Sequence, residues 1–279
     1  RYPGGFISKN APTVSTSGAQ GVWTMEQQAA YQKAGTWPFG GPFTYIEDVF
    51  STYLYTGNGS TLTINNGIDL SGKGGLVWVK MRDPYAGYDH AWVDTARGVN
   101  KFISSDLANA QITVGSVSAF NSNGFTLDGT GGYIDINGAS EVSWTFRKQA
   151  KFFDVVTYTG DGATTRNISH SLGVQPAAFF VKATSTTGDW HTVFSYNGGS
   201  NYFMGDTANG NFALNSTNIA GSGRTAASIN ISSTTIDVAK IKYNVSTAGY
   251  DQNAGNQNGV TYVAYIFASN AGGFGLSGT

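Results

Sequence analysis

The feature that most constrains this chain is a repeat too long to belong to a solenoid. Tyr55-Thr56-Gly57-Asn58-Gly59 recurs as Tyr158-Thr159-Gly160-Asp161-Gly162, and the sequence that follows corresponds as well. Leu76-Val77-Trp78-Val79-Lys80 matches Ala178-Phe179-Phe180-Val181-Lys182, followed by strands around Trp92 and Trp190 at roughly equivalent places. Each unit closes on a similar strand, Val142-Ser143-Trp144-Thr145-Phe146 and Val263-Ala264-Tyr265-Ile266-Phe267. Solenoid units run about 20 to 50 residues and cannot fold alone, whereas a period near ~100 residues is the size of a complete domain. The repeat predicts two related modules in tandem. That arrangement suits an extended binding or structural object better than a one-site enzyme.

Composition sets the class of those modules. Only 12% of the 279 residues are charged and 14% are aromatic, and Gly occurs 38 times. Soluble domains average about 25% charged residues and about 7% Gly. Little helix-favouring Glu or Lys, with many aromatic, Gly, Ser, Thr and Asn residues, describes an all-β protein with numerous turns. The formal net charge is -1 and the 16 basic residues are scattered. Nucleic-acid binding, which needs clustered cations to displace counterions, is therefore not expected. No apolar run approaches the ~20 residues of a membrane span, so no membrane insertion is expected. With no Cys, disulfides and thiolate metal sites are excluded.

Three regions follow: an N-terminal arm with a short helix over 1–46, a first β-sandwich over 47–150, and a second over 151–279 with a C-terminal connector. In the arm, Thr24-Met25-Glu26-Gln27 is a capping-box signature. The residues after it favour helix until Gly35 and Pro38 stop it. Trp23, Trp37 and Phe39 flank this helix and are the candidate anchor or assembly residues. Two readings stand open: a cap on the first module, or a plug inserted into a partner. The chain begins at Arg1 and ends on a Gly-rich run, 271–279, that reads as a connector continuing into further sequence.

In the modules, short alternating segments separated by Gly, Asn and Ser turns predict antiparallel sandwiches. Val142, Trp144 and Phe146 face one way, and Glu141, Ser143 and Thr145 the other. A sandwich of this kind buries one face of each sheet and leaves the other polar. The apolar junction 151–156 is not a flexible linker, which would be Gly/Ser-rich or Pro-rich. The modules are therefore expected to pack in a fixed relation.

The strings Gly75 to Lys80, Asp94-Thr95-Ala96-Arg97-Gly98, Ser118 to Leu127 and Trp144 to Lys148 resemble a β-sandwich module repeated in bacteriophage tail proteins. That module is common in marine and cyanobacterial phages and similar to concanavalin-A-like jelly rolls. The join from Phe152 to Gly160 and the second-module strings His170 to Pro176, Tyr262 to Ala268 and Gly272 to Gly275 carry the same resemblance. The leader, Gly21 to Thr24 and Gly35 to Pro38, resembles one seen on phage structural proteins. The resemblance implies a virion component, most often a tail fibre or fibre-like appendage acting in host attachment. It implies partners among other virion proteins and copies of itself, commonly as a homotrimer, and localisation on the particle exterior. A capsid decoration protein or a lectin-like carbohydrate-binding module are the alternatives. The resemblance carries no catalytic residue.

Jelly rolls also host glucanases, whose retaining members need two carboxyls about 5 Å apart. Only three Glu occur: Glu26, Glu47 and Glu141. Asp135 lies near Glu141, but no strand carries two acids on one face with a third beyond, so no enzyme is expected. His90, His170 and His191 lack metal-ligand spacing, and the Asp/Asn-rich loops 206–211 and 251–258 read as turns. No metal and no cofactor are expected. A sugar site wants exposed aromatic faces beside polar groups, and the loop 83–90 offers them. Tyr85, Tyr88, Asp89 and His90 are the candidate contacts for a host-surface glycan. The competing reading has the two Tyr covering a sandwich edge or an intersubunit seam.

Overall fold

The computed structural model describes residues 13–15, 18–20, 24–33, 46–83, 88–130, 134–196, 201–206, 211–214, 230–241, 243–245, 250–252 and 255–269. The chain divides into two compact units, one formed by residues 1–45 with 273–279, the other by 46–272. The smaller unit holds the antiparallel strands β1 (Thr13–Ser15) and β2 (Gly18–Gln20) and helix α1 (Met25–Lys33). The capping box forms as expected. The Gln27 amide donates to Thr24 Oγ1 (3.1 Å), and the Thr24 amide donates to Gln27 Oε1 (2.9 Å). Trp23, Trp37 and Phe39 lie outside the described residues.

Among the described residues, the larger unit is all-β apart from two 3-10 turns, Ile46–Asp48 and Val238–Lys240. Its first half contains β3 (Phe50–Thr56), β4 (Leu62–Asn65), β5 (Gly75–Asp83), β6 (Ala91–Asp94), β7 (Lys101–Ser104), β8 (Ile112–Thr113), β9 (Val117–Asn121), β10 (Gly124–Leu127) and β11 (Ser140–Arg147). Its second half contains β12 (Phe153–Thr159), β13 (Asn167–Ser169), β14 (Pro176–Ala183), β15 (Trp190–Tyr196), β16 (Asn201–Asp206), β17 (Asn211–Leu214), β18 (Thr235–Asp237), β19 (Tyr243–Val245), β20 (Tyr250–Gln252) and β21 (Thr261–Ala268).

Topology establishes the repeat. The first large sheet runs β3-β11-β5-β6-β7-β8 and the second β12-β21-β14-β15-β16-β17. In both, the opening strand pairs with the closing strand, which pairs with the third. Opposite the first sheet lies β4-β10-β9; the second has β13-β18 in the place of β4-β10. Of the junction 151–156, Lys151 and Phe152 form a turn and the rest is already β12. Lys151 there takes a left-handed φ of 61°, uncommon for a side-chain-bearing residue.

Each sandwich has its own core. In the first, Ile64, Val77, Val79, Val93, Phe125 and Leu127 pack between the sheets. In the second, Ile168, Phe179, Val181, Val193, Ile236 and Ile266 do so. A third core lies between the two large sheets, where Leu76, Trp92, Ile103, Phe153, Val155, Trp190, Val263 and Tyr265 meet. The outer faces of the large sheets are thus aromatic, and they stack on each other. This corrects the expectation of a polar outer face.

The correction is clearest on β11. Glu141, Ser143 and Thr145 stand beside Met81, Val79 and Val77 of β5, so the polar row faces the sandwich interior, and all three are fully buried. Val142, Trp144 and Phe146 point outward. The interior tolerates the polar row because loop groups meet it, as where Asn66 Nδ2 donates to Thr145 Oγ1 (2.8 Å).

Candidate functional site

The two repeated turns are built as the same clasp. A Cβ on Gly57 would stand 2.3 Å from the Ile136 carbonyl oxygen, and one on Gly160 would stand 2.1 Å from that of Gln257. Only Gly allows this approach. Gly59 and Gly162 take left-handed φ values of 67° and 71°, as do Gly138 and Gly259 at 80° and 77°. The amide of Asn58 donates to Asp135 Oδ1 (2.7 Å), and the amide of Asp161 donates to Asn256 Oδ1 (3.1 Å). Tyr55 and Tyr158 hydroxyls close the clasps by donating to the carbonyls of Ile134 (2.8 Å) and Gly255 (2.7 Å). The segment 135–138 therefore corresponds to 256–259.

The clasps differ most in one slot. Glu141 occupies it in the first module and Tyr262 in the second. Glu141 Oε1 accepts from the Ile136 amide (3.2 Å), as the Tyr262 hydroxyl accepts from the Gln257 amide (3.0 Å). Glu141 Oε2 also lies 2.8 Å from the Tyr55 hydroxyl. That hydroxyl has one hydrogen for two acceptors, the Ile134 carbonyl and Glu141. A proton on Glu141 completes the chain, carboxyl to hydroxyl to carbonyl. Burial works in the same direction and pushes the Glu141 pKa up to about 7, against hydrogen bonds from Tyr55 and the Ile136 amide that favour the anion. Burial also raises the Asp135 carboxyl. The two acids are thus 0% and 1% exposed and held within the clasp.

The seam between the modules is tied by polar groups as well as rings. Arg97, on the turn after β6, has its five N–H donors matched. Nε meets Asp94 Oδ2 (2.6 Å), and the other four meet the Lys101 carbonyl, Gln111 Oε1, the Trp92 carbonyl and the Tyr265 hydroxyl. Tyr265, from the second module, donates in turn to Asp94 Oδ2 (2.7 Å). A buried ion pair with every donor satisfied specifies a single docking geometry and is costly to break. Trp190 Nε1 donates to the Ser104 carbonyl (3.0 Å), and the buried Lys182 ammonium donates to the Ala108 carbonyl (3.2 Å). Burial lowers the Lys182 pKa to about 8, helped by Arg97 and opposed by Asp189.

The seam leaves a cleft of about 260 Å³. Leu76, Trp78, Trp92, Ser105 and Phe146 line it from the first module; Phe180, Trp190, Thr192 and Phe267 line it from the second. Trp78 sits between Trp144 and Trp92 in register across three strands, with ring centroids 4.8 and 5.3 Å away. Neither Asp135 nor Glu141 lines the cleft. This two-sided aromatic site is the candidate functional site of the molecule.

The residues singled out from sequence fall around it in part. Tyr85 lies outside the described residues. Tyr88 is exposed, and its carbonyl accepts from the Lys80 ammonium. Asp89 accepts from Ser104 Oγ (3.2 Å). His90 Nδ1 accepts from the cleft residue Trp78 through Nε1 (3.0 Å), so neutral His90 carries its hydrogen on Nε2. Burial holds its pKa below the ordinary imidazole value, with Asp106 pulling the other way and Lys80 assisting. His90 therefore orients the cleft wall.

The histidines are not equivalent. His191 pairs with Val181 and is buried 5% exposed, whereas His90 precedes β6. Likewise, Trp92 stands opposite Trp78, while Trp190 stands opposite Lys182. The loops 206–211 and 251–258 lie partly outside the described residues. Among the described residues, no group of three His, Cys, Asp or Glu could hold a metal ion, and no helix is long and apolar enough to cross a membrane.

The packing of the modules in a fixed relation follows the expectation from the apolar junction, but the faces that meet do not, although a signal for them exists. Leu76-Val77-Trp78-Val79 and Tyr262 to Phe267 are continuous apolar runs where a sandwich strand with one wet face would alternate. Such runs mark strands buried on both faces.

Fold and seam define a tandem β-sandwich protein whose two modules form one compact unit. Residues 46–278 match the model of the family described as domain of unknown function (DUF7483), and the chain belongs to that family. The match begins where the larger compact unit begins and spans both sandwiches. No curated protein matches the chain, and no solved structure matches it.

Proposed function

We propose that this chain is a structural component of a phage virion, a stiff two-module element of a tail fibre or fibre-like appendage acting in host attachment. The observation that carries this reading is the seam. Two sandwiches, each with its own core, are locked by an aromatic core and a fully satisfied Asp94–Arg97–Tyr265 network. A spacer that transmits position or force benefits from such a lock, because inter-domain interfaces that are small and polar permit motion. Two further observations support a scaffold over a hydrolase. Asp135 and Glu141 are spent on the clasp, and the cleft is lined by aromatic rings and two hydroxyls without a carboxylate.

The leader, residues 1–46, is in this reading the attachment point to the virion body or to other copies. A capsid decoration protein would share the same stiff unit. The test is immunogold labelling of purified particles from the native host with antibody raised against residues 46–272. Label confined to tail appendages is the expected result. Label on the capsid shell favours decoration, and particles free of the chain while the lysate contains it overturn both. Deleting residues 1–45 should leave a folded 46–272 unit that no longer enters particles.

A further inference from the structure

We propose that the free edge of β3 is a self-association site, where β3 of a second copy pairs with it antiparallel about a two-fold axis at Tyr53. The site stands apart from the virion reading, which gives contact between copies to residues 1–46.

Hydrogen-bond phase shows what this edge offers. The Arg147 amide donates to the Val49 carbonyl (2.7 Å) and the Gly57 amide to the Ala139 carbonyl (2.9 Å), at the two ends of the β3–β11 ladder. Alternation between them turns Ser51, Tyr53 and Tyr55 toward β11. The amides and carbonyls of Phe50, Thr52, Leu54 and Thr56 point away from it, and among the described residues no other group meets them. The strand is 7 residues long without a charge, Pro or Gly, and Tyr53 and Leu54 are 37% and 61% exposed. Native sheets blunt such edges with charges, short strands or covering groups. The equivalent strand of the second module is blunted along most of its length. Phe153 exchanges both its outward backbone bonds with Gln149 (2.9 and 3.1 Å). The Val155 amide donates to Asp154 Oδ1 (2.8 Å), and Lys148 Nζ donates to the Val155 carbonyl (3.3 Å). At the far side of the first large sheet, β8 is only 2 residues long.

The open strand itself selects a second copy. With Tyr53 on the axis, Phe50 faces Thr56 of the copy and Thr52 faces Leu54, so each outward amide meets an outward carbonyl. On the outer face, shared with Trp144 and Phe146, the two Leu54 side chains become diagonal neighbours. They extend the apolar surface that already forms the seam, to which Phe146 belongs. Antiparallel pairing also keeps Glu47 and Asp48 at the opposite end of the contact from their counterparts, where parallel pairing would bring like charges together.

The experiment is sedimentation of the full chain over a range of concentrations, which should show the mass of two chains falling to one on dilution. Thr52→Pro removes an outward N–H that β11 does not use. Leu54→Lys sets two ammonium groups diagonal to each other, as guarded natural edges do. Each should weaken the dimer by about tenfold or more while the circular dichroism stays that of the parent, and the second serves should the first melt early. Register is read separately. The chain has no Cys, and directly opposed residues at a non-hydrogen-bonded position have Cα atoms about 4.5 Å apart, within disulfide reach. Mild oxidation should therefore link two chains of Tyr53→Cys and leave Thr56→Cys unlinked. A chain that stays monomeric up to about 0.1 mM, or an oligomer unmoved by a folded edge variant, overturns the site. Linking of Thr56→Cys as readily as Tyr53→Cys overturns the two-fold register.

Discussion

The two clasps are the same device with a few parts exchanged, and the exchanges separate what the turn requires from what it tolerates. Gly57 and Gly160 are forced in both, because a backbone oxygen occupies the space where a Cβ would go. Asp135 and Asn256 fill one role, since a side-chain oxygen is what the facing amide needs. Glu141 and Tyr262 also fill one role, but with unlike consequences. Tyr262 stacks on Tyr158 at 5.1 Å with rings 11° apart, and its hydroxyl satisfies the Gln257 amide. Glu141 satisfies the equivalent amide with a carboxyl whose pKa burial pushes up to about 7. The first module therefore carries a pH-sensitive bond that the second lacks.

The comparison breaks most severely where the modules meet. Trp190→Ala removes a buried ring and its bond to Ser104, a class of change that costs about 3–5 kcal/mol. Calorimetry should then resolve two melting transitions in place of one, each belonging to one sandwich. A single undivided transition would mean that the seam does not couple the modules. Next come Gly57→Ala and Gly160→Ala, which overpack equivalent turns and should cost about 3 kcal/mol each, at the upper end for overpacking. A large difference between them in urea melts would disprove the equivalence of the clasps.

The Glu141 effect is directional. Its folded-state pKa lies above the unfolded one, so its contribution is fully present below about pH 4.3 and is lost as pH rises through about 7. In Glu141→Gln, the amide nitrogen can donate to Tyr55 and the oxygen can accept from Ile136, so the clasp stays closed without a titrating proton. The variant should lose this pH slope and exceed the parent by roughly 2 kcal/mol above pH 7. An unchanged slope in urea melts at pH 5 and pH 8 would assign the proton elsewhere. The smallest effect is expected at the exposed Arg166–Asp161 pair, 3.2 Å apart beside the second clasp. Arg166→Gln should leave the melting temperature within error, as surface pairs contribute little.

Much of this was legible in the chain. The Tyr-Thr-Gly-x-Gly repeat marked the clasps, and alternation with turn residues located most strands. β1, β2, β9, β12, β16 and β20 do not stand out as strands in the sequence. β12 had passed as a module junction because its apolar run shows no alternation. For the cleft, His90 is visible in the sequence beside aromatic residues, but its bond to Trp78 across a strand pair is not. Asp94 to Gly98 stood out as a string, yet nothing local indicates that Arg97 is waiting for a hydroxyl 168 positions away.

By itself the sequence determined the all-β class, the two-module repeat, the capped helix and the glycines that the turns cannot exchange. These rest on short-range rules of backbone sterics, two-residue alternation and local capping. Only the tertiary structure decided which face of β11 is interior, that the aromatic outer faces close on each other, and that Glu141 sits where burial raises its pKa to about 7. Alternation divides a strand into two faces without saying what will cover either one. Burial, and with it the charge state of a carboxyl, is set by segments more than eighty residues distant, as Tyr55 is from Glu141.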